Sequence, residues 1–398
     1  MDKKQILVEQ LRVGMYVEEL DRPWLGTPFT YQGFPVNSDD QIRMLKSLCK
    51  TVFIDVDREF SVDTHRKWVS SELPLRGTTI HPVGRSVEQE LYVARDILVA
   101  CETSIAKAIE SYRVEGNVDP EPLKAAVVDM TRSIERNPDA MILMSKIRAK
   151  GSYELSRAVD VSVLLITFGR FLQLSSDRLE LLGLAGLLLD SGKVKIPDEI
   201  LRKKGLLTAQ EYEVAKQHVV YSLEFVRDAR LPREIEDIIV QHHERADGSG
   251  YPRGLRGSQI SIDGALAGLV DSYSALTSAR SYAEQTSSSN ALGKLHAQQG
   301  KLFHQALVEQ FIQCIGIYPV GSVVELNTGE VGIVIAQNLA RRLQPRVMVV
   351  LDRDRKPLRV QVILDLMKEP RATADEPYRI RRALPKDKLA INPQDFFL

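Results

Sequence analysis

Two adjacent histidines, His242 and His243, end an apolar stretch of the chain and begin the sequence HHERADGSGYP. Pro232 suits the first turn of a helix, and the apolar residues from Ile235 onward are spaced so that both imidazoles continue its buried face. A buried imidazole needs partners for its ring nitrogens. For one histidine a bond to the backbone would suffice, but two together favour ligation of a metal ion.

Three more side chains on other predicted helices could take part in the same chemistry. His218 lies on the less polar side of the helix that the capping-box sequence TAQE opens. Asp190 ends the apolar run LLGLAGLLLD, and Asp271 lies among small and apolar residues in ALAGLVDSYSALTSA. Because a buried, unpaired carboxylate is costly, each should be paired or bound to a metal. As alternatives, Asp190 could cap the following turn and Asp271 could pair with a lysine.

Together, three inward histidines and two inward aspartates on separate helices favour one metal site. These donors are nitrogen and oxygen without thiolate, a set that suits iron, manganese, zinc or nickel. The three cysteines, Cys49, Cys101 and Cys314, lie far apart with no paired spacing, so they indicate neither a zinc ribbon nor a disulfide framework. They fit a reducing, cytoplasmic location.

The elements that position these residues fall into several segments, because 398 residues are too many for one ordinary core. Strand-like alternation in LRVGMYVEEL and TVFIDVD predicts a small mixed domain in residues 1–80. Helical spacing predicts a connector in residues 85–140 and continues through residues 142–318. Strand patterns such as SVVEL, VGIVIA and RVMVVL predict a short β extension in residues 319–398. The expected fold class is therefore α+β and multidomain, with a mainly α central domain.

The charge and hydropathy of the chain narrow the classes of partner. Lys plus Arg and Asp plus Glu both number 53, so the net charge of zero gives no reason to expect binding to a nucleic-acid polymer or an anionic membrane. The apolar runs are far shorter than the ~20 residues of a membrane span. The start MDKKQILVEQL lacks the apolar core of a signal peptide. We therefore expect a cytoplasmic protein that does not enter a membrane.

With these residues located, residues 142–318 resemble an HD-GYP domain, a helical HD-type metallophosphohydrolase family of bacteria that acts on cyclic di-GMP. HHERADGSGYPRGLRG carries the HHExxDGxGYP signature of that family, and GKVKIPDEILRKKGLLTAQE follows its pattern closely. DSYSALTSARSY matches a later segment of the family. Residues 1–80 resemble a small domain of unknown function that is often attached to these proteins. The resemblance therefore covers most of the chain.

The resemblance implies a centre of two or three metals that activates water for attack on a phosphodiester. Asp190 would bridge two metal positions. His218, His242 and His243 would complete the first position, and Asp271 would belong to the second.

The resemblance also implies residues that contact the nucleotide. Lys193 matches a lysine near the reacting phosphate and is the candidate catalytic residue. Arg280 matches an arginine that holds a ligand phosphate. Gly250, Tyr251 and Pro252 form the loop that gives the family part of its name.

The chain departs from the family at the histidine of the HD pair. LDSGK stands where family members have HDIGK, so Leu189 replaces that histidine, and Arg157 stands at a second histidine position upstream. Both losses fall on the second metal position, whereas the first keeps three imidazoles and a carboxylate. We therefore expect at most one divalent ion, with an empty site as the alternative. Further family residues are replaced by Ala265, Ser274 and His304.

Arg157 suggests a compensation for the lost ligands. Its guanidinium could occupy the vacated volume and pair with Asp190 and Asp271, replacing the charge of an ion without its Lewis acidity. It could also hold a ligand phosphate. In the alternative, Arg157 points to solvent and the pocket has collapsed around Leu189.

The resemblance and the departures together leave three hypotheses about function. The leading one is a degenerate HD-GYP protein in cyclic di-GMP signalling, which binds the nucleotide, a protein partner, or both, with weak or no phosphodiesterase activity. The second is an active metal-dependent cyclic di-GMP phosphodiesterase with an altered metal site. The third is a structural or scaffold protein whose pocket holds no ligand. An oligomer is compatible with all three.

Overall fold

The computed structural model describes residues 3–12, 15–22, 34–36, 39–55, 77–148, 152–278, 286–338 and 341–384. The chain divides into two compact units, Met1–Leu73 and Pro74–Leu398. Among the described residues, none of the helices combines the length and the apolar character that crossing a bilayer requires.

The first unit is an antiparallel sheet with a helix packed on it. Its elements are β1 Lys3–Leu7, β2 Tyr16–Leu20, β3 Phe34–Pro35, α1 Asp39–Leu48 and β4 Thr51–Asp55. The strands lie in the order β1-β4-β2-β3. Leu45 of the helix shares one buried cluster with Val17 and Val52 of the sheet, so this unit has a core of its own. Its mixed α/β composition is the one that the sequence predicted.

The second unit begins with a long helical region. Its helices are α2 Val87–Glu115, α3 Glu121–Arg136, α4 Pro138–Ile147, α5 Tyr153–Phe171, α6 Ser176–Leu188, α7 Asp198–Leu201, α8 Ala209–Lys216, α9 His218–Asp228, α10 Arg233–Gln241, α11 Ile262–Thr277, α12 Ser288–Ala297 and α13 Gln305–Ile315. A 3-10 turn, Ser191–Lys195, follows α6. The expected fold class, a mainly helical domain between a mixed α/β unit and a β extension, is confirmed.

Polar caps start α5, which carries Arg157, and α8, which leads to His218. Ser152 caps α5 by accepting a hydrogen bond from the amide of Leu155, at 3.3 Å. Thr208 and Glu211 form the capping box that TAQE predicted, so α8 begins where expected. Each cap satisfies an amide that the first helical turn leaves without a partner.

Helices α5 and α6 pack closely at the centre of this unit because glycines line their contact. A Cβ atom on Gly186 would lie 2.8 Å from the Cα atom of Ser162, and one on Gly183 would lie 2.6 Å from the side chain of Ile166. Side chains at these two positions would force the helices apart. The close contact places Arg157, on α5, beside the residues that follow α6.

The last described part of the chain is a five-stranded antiparallel sheet. The strands are β5 Val323–Leu326, β6 Val331–Ala336, β7 Arg346–Leu351, β8 Pro357–Asp365 and β9 Ile380–Leu384, in the order β8-β7-β6-β5-β9. The sequence predicted β5, β6 and β7 but neither outer strand. The sheet joins the helical region where the amide of Gln337 donates a hydrogen bond to the Asp139 carboxylate, at 3.0 Å.

Candidate metal centre

Four of the predicted ligands come together from three parts of the helical region. Asp190 lies just after α6, His218 begins α9, and His242 and His243 follow α10. One ligand atom from each residue lies within 4.8 Å of the other three. The prediction that both adjacent histidines lie on the helix is wrong. Helix α10 ends at Gln241, and the histidines occupy the tight turn that follows it.

A glycine allows Asp190 and His218 to lie side by side. A Cβ atom on Gly192 would lie 2.3 Å from the carbonyl oxygen of His218, so the 3-10 turn can touch the start of α9 only without a side chain there. Ser222 fixes the contact, since its hydroxyl donates to the Leu189 carbonyl at 2.9 Å and accepts from the Gly192 amide at 2.8 Å.

Backbone carbonyl groups orient two of the imidazoles toward the centre. The Nδ1 atom of His218 donates to the Ala215 carbonyl at 2.7 Å, and that of His242 donates to the Ile239 carbonyl at 2.5 Å. Each Nε2 atom therefore keeps its lone pair. His218 Nε2 lies 3.1 Å from His243 Nε2, a separation that suits neighbouring ligands of one ion with bonds of about 2.1 Å.

Unsatisfied atoms at the centre support the fit to a metal ion. The Nε2 atom of His242 and the Oδ1 atom of Asp190 are buried and have no hydrogen-bond partner. Such buried polar atoms are rare in native proteins and call for an explanation such as an ion. Three imidazoles and one carboxylate form a donor set that a divalent transition metal accepts.

The protonation states at the centre also suit a metal. Burial lowers the pKa of His218, lowers that of His242 to about 4, and holds that of His243 well below its usual value. Burial alone would raise the pKa of Asp190, yet Lys193 and Arg157 beside it hold that pKa well below its usual range. Neutral imidazoles and an ionised carboxylate are the forms that bind a metal.

Arg157 lies between the carboxylates of Asp190 and Asp271. Its Nη1 atom donates to Asp190 Oδ2, and its Nη2 atom donates to Asp271 Oδ1 at 2.6 Å. Only 8% of its side chain is exposed. The pairing that the sequence suggested for Arg157 is therefore present, and the alternative in which it points to solvent is wrong.

This pairing separates Asp271 from the four-residue cluster. The carboxylate that the resemblance assigned to a second metal position instead binds a guanidinium. Of the two alternatives raised for Asp271, pairing is the one observed, with an arginine in place of a lysine. Lys193 donates to Asp190 Oδ2 at 2.7 Å, so cations contact this oxygen from two sides.

The Gly250-Tyr251-Pro252 loop folds back onto the cluster. The ring of Tyr251 stacks on that of His243, with centroids 4.6 Å apart and planes inclined by 26°. Gly250 permits this, because a Cβ atom there would lie 2.5 Å from the His243 carbonyl oxygen. Glu244 anchors the residues that follow the loop, because its carboxylate accepts hydrogen bonds from the amides of Arg253 and Leu255, at 2.7 and 2.9 Å. Sequence reasoning did not predict this positioning of His243.

One predicted ligand-binding residue cannot be placed. Arg280 lies outside the described residues. The structure thus brings together Asp190, His218, His242 and His243, with Lys193 and Arg157 at the edge of the cluster.

Family models match three parts of the chain. Residues 134–307 match the model of an HD domain, and residues 3–123 match a domain of unknown function, DUF3391. Residues 323–378 match a KOW domain associated with HD domain.

Curated relatives of the chain are phosphodiesterases of bacteria. A cyclic di-GMP phosphodiesterase of Pseudomonas aeruginosa is 31% identical over 369 residues, which cover 90% of this chain and 88% of that protein. A cyclic di-GMP phosphodiesterase of Thermotoga maritima is 38% identical over 126 residues, 31% of this chain and 34% of that protein. A 3'3'-cGAMP-specific phosphodiesterase of Vibrio cholerae is 40% identical over 126 residues, 31% of this chain and 24% of that protein.

Among solved structures, an HDG"Y"P protein from Bdellovibrio bacteriovorus aligns with a TM-score of 0.46 and 18% identity. The alignment covers 78% of this chain and 98% of that one.

Proposed function

Because this chain belongs to the HD-GYP family of HD-domain proteins, we propose that it acts in cyclic di-GMP signalling with one metal ion and one buried arginine where the family resemblance implies more than one ion. In this proposal it binds cyclic di-GMP and hydrolyses it weakly or not at all. The similarity to a cyclic di-GMP phosphodiesterase along 90% of the chain supports the nucleotide. The contacts of Arg157 support the loss of turnover.

The observation that carries the proposal is the position of Arg157 between Asp190 and Asp271. Two-metal phosphoesterases hold the attacking and the leaving oxygen between their ions. A guanidinium supplies the positive charge of one ion, but it cannot lower the pKa of a bound water as an ion does. Leu189, which replaces the lost histidine, offers no ligand atom at all.

The remaining cluster fits one divalent ion. An ion held by Asp190, His218, His242 and His243 would supply Lewis acidity toward a phosphate oxygen. Lys193 and Arg157 would add positive charge beside the same phosphate. The chain would therefore retain the positive charges that attract a phosphodiester, but it would lack one of the two ions between which a two-metal phosphoesterase cleaves it.

Metal analysis, calorimetry with cyclic di-GMP and a turnover assay on one preparation test the proposal. We expect one ion per chain and a binding heat, with little or no mononucleotide or linear product. Two ions together with rapid hydrolysis would favour the alternative of an active enzyme. No heat at any metal loading would favour the alternative of a scaffold.

A partner protein is a second candidate ligand, and the surface near α8 favours it. Leu206 is 95% exposed, and in the sequence it lies between Lys204 and the half-exposed Tyr212. Aromatic side chains are enriched in contact surfaces, and an exposed apolar residue near one can add to such a surface. Capture of a partner by the intact chain, lost in Leu206→Ser, would support this role.

A further inference from the structure

A second cavity lies within the larger unit, between the helical region and the C-terminal sheet. Its volume is about 530 Å³. Its walls come from residues 79–87, from α4, α5 and α13, and from the facing ends of β6 and β7. None of the candidate metal ligands is among the described residues that line it.

The charged groups in the wall are mostly cations. Arg85, Lys146, Arg170 and Arg346 line the cavity with a single carboxylate, Asp139. Arg85 and Arg346 also pair with glutamates on α2, which lie outside the wall. The Nη2 atom of Arg170 instead donates to two carbonyl oxygens, at 2.6 and 3.1 Å, so these bonds leave its positive charge in place.

Unsatisfied polar atoms also concentrate in this wall. Thr167 Oγ1, Arg170 Nε and Gln337 Oε1 are buried without a hydrogen-bond partner, and all three residues line the cavity. Because buried polar groups are nearly always satisfied, these three atoms call for partners such as bound water, and the residues that carry them make this part of the wall polar.

Apolar side chains form a large part of the wall. Ile142, Phe171, Tyr273 and Val320 line it from the helical region and the start of the sheet. A mainly apolar pocket with a few convergent polar groups, at the junction of two structural parts, is typical of a small-molecule site. The two aromatic residues could pack against a planar ring.

We propose that this cavity binds a small organic phosphate with a planar ring, of the size of a nucleoside monophosphate. Arg170 and Arg346 bind the phosphate, since guanidinium groups match phosphate oxygens in pairs. The ring lies against the apolar wall, and Asp139 accepts hydrogen bonds from its edge. A volume of about 530 Å³ lies within the range of ligand pockets, roughly 300–1,000 Å³.

The ligand would contact the segment that leads from the first unit into the helical region. Residues 77–84 have no regular structure, and their amides donate to carbonyl groups of the helical region at Gly77, Thr79 and Gly84. The Arg170 guanidinium donates to the His81 carbonyl at 2.6 Å. A phosphate on Arg170 would therefore lie next to this connecting segment. The site is independent of the function proposed for the metal centre.

Calorimetry with GMP on the full-length chain, with and without EDTA, tests the proposal. We expect one GMP per chain with the same affinity in both conditions. Arg346→Ala should weaken binding by about tenfold or more, as loss of a charged contact to phosphate does. Ile142→Trp, which fills the cavity with an apolar ring, should abolish it. Arg353→Ala, which removes an arginine of the turn between β7 and β8 outside this wall, should leave the affinity unchanged.

Several results would overturn the proposal. These are no binding of GMP, binding that EDTA abolishes, equal affinity in Arg346→Ala and in the unchanged chain, and inorganic phosphate binding as tightly as GMP. Thermal unfolding of each variant shows that it is folded, and Ile142→Trp provides a second test if Arg346→Ala does not fold.

Discussion

At the scale of single residues, the main feature of the site is a guanidinium between two carboxylates, one buried and one partly buried. Arg157 is held from both sides, and burial disfavours every charge in this group. Such a cluster contributes little net stability when complete, because desolvation offsets the attraction. Removing one charged group of the cluster lowers stability, since it leaves the opposite charge away from water without a partner.

Arg157→Ala should therefore lower the free energy of unfolding by about 3–5 kcal/mol in the metal-free chain, as breaking buried ion pairs does. Urea denaturation in EDTA measures the change. Arg178→Ala removes an arginine that pairs with Asp263 while 44% exposed, and it should cost less than about 1 kcal/mol. Equal costs for the two variants would contradict the compensating role of Arg157.

Under the proposed function, histidines at positions 157 and 189 should create a second metal position. In the double variant Arg157→His and Leu189→His, imidazoles replace the guanidinium and the leucine and free Asp271 for ligation. We expect the metal content to rise from one ion per chain to two, measured by elemental analysis after dialysis. Leu189→His alone is the control, because Arg157 would still occupy Asp271. If both variants bind only one ion, Arg157 and Leu189 are not what prevents a second ion from binding.

At the scale of elements, the contact between the 3-10 turn and α9 places Asp190 beside His218. Gly192→Ala would put a Cβ atom 2.3 Å from the backbone of α9 at both His218 and Ser222. The turn must then shift, so we expect weaker metal binding and a loss of roughly 1–3 kcal/mol of stability. Calorimetric metal titration and urea denaturation measure these effects.

Gly293 on α12 provides the matched control. A Cβ atom there would meet nothing within 4 Å, so Gly293→Ala should stabilise the helix by about 0.5–1 kcal/mol and leave metal affinity unchanged. If Gly192→Ala changes stability and metal affinity as Gly293→Ala does, close contact at the 3-10 turn does not position the metal ligands.

Sequence patterns predicted the elements whose bounds depend on residues close together in the chain. The capping box at Thr208 fixed the start of α8, and the apolar alternation in VGIVIA and RVMVVL marked β6 and β7. Periodicity failed at the end of α10, where the amide of Glu244 bonds three residues back to Gln241 and closes the helix. The histidines remained inward because a tight turn keeps them on the same side as the helix.

Contacts between distant segments could not be predicted from these patterns. The stacking of Tyr251 on His243 depends on how the loop folds back after the turn. The outer strand β9 pairs with β5 across more than fifty residues, and its short sequence IRRAL places polar and apolar residues in runs that do not alternate. The second cavity arises only when the helical region and the sheet meet.

At the scale of the whole molecule, the junction between the helical region and the sheet contains a buried acid. The Asp139 carboxylate accepts the Gln337 amide at 3.0 Å. Burial raises the pKa of this carboxyl from 3.8 to about 6, although Arg170 and Arg346 act in the opposite direction. The folded chain thus holds a proton here that the unfolded chain releases at lower pH.

This raised pKa makes the junction weaker as the pH rises. Stability falls wherever the folded state binds more protons than the unfolded state, so the loss at Asp139 accumulates between about pH 4 and pH 6. Asp139→Asn cannot ionise and retains an oxygen that accepts from Gln337. The variant should therefore gain stability over the unchanged chain across this window, by at most about 3 kcal/mol at neutral pH.

Urea denaturation of both proteins at about pH 4 and pH 7 measures this gain, since these values lie on either side of the window in which Asp139 titrates. The difference between the two proteins cancels the titration of other groups, including the metal ligands. Any cost of the amide nitrogen that Asp139→Asn introduces is the same at both pH values, so it does not affect how the difference changes with pH. A difference that stays constant would contradict a raised pKa at the junction. A difference that grows with pH would identify this carboxyl as a group whose ionisation opposes the packing of the sheet on the helices.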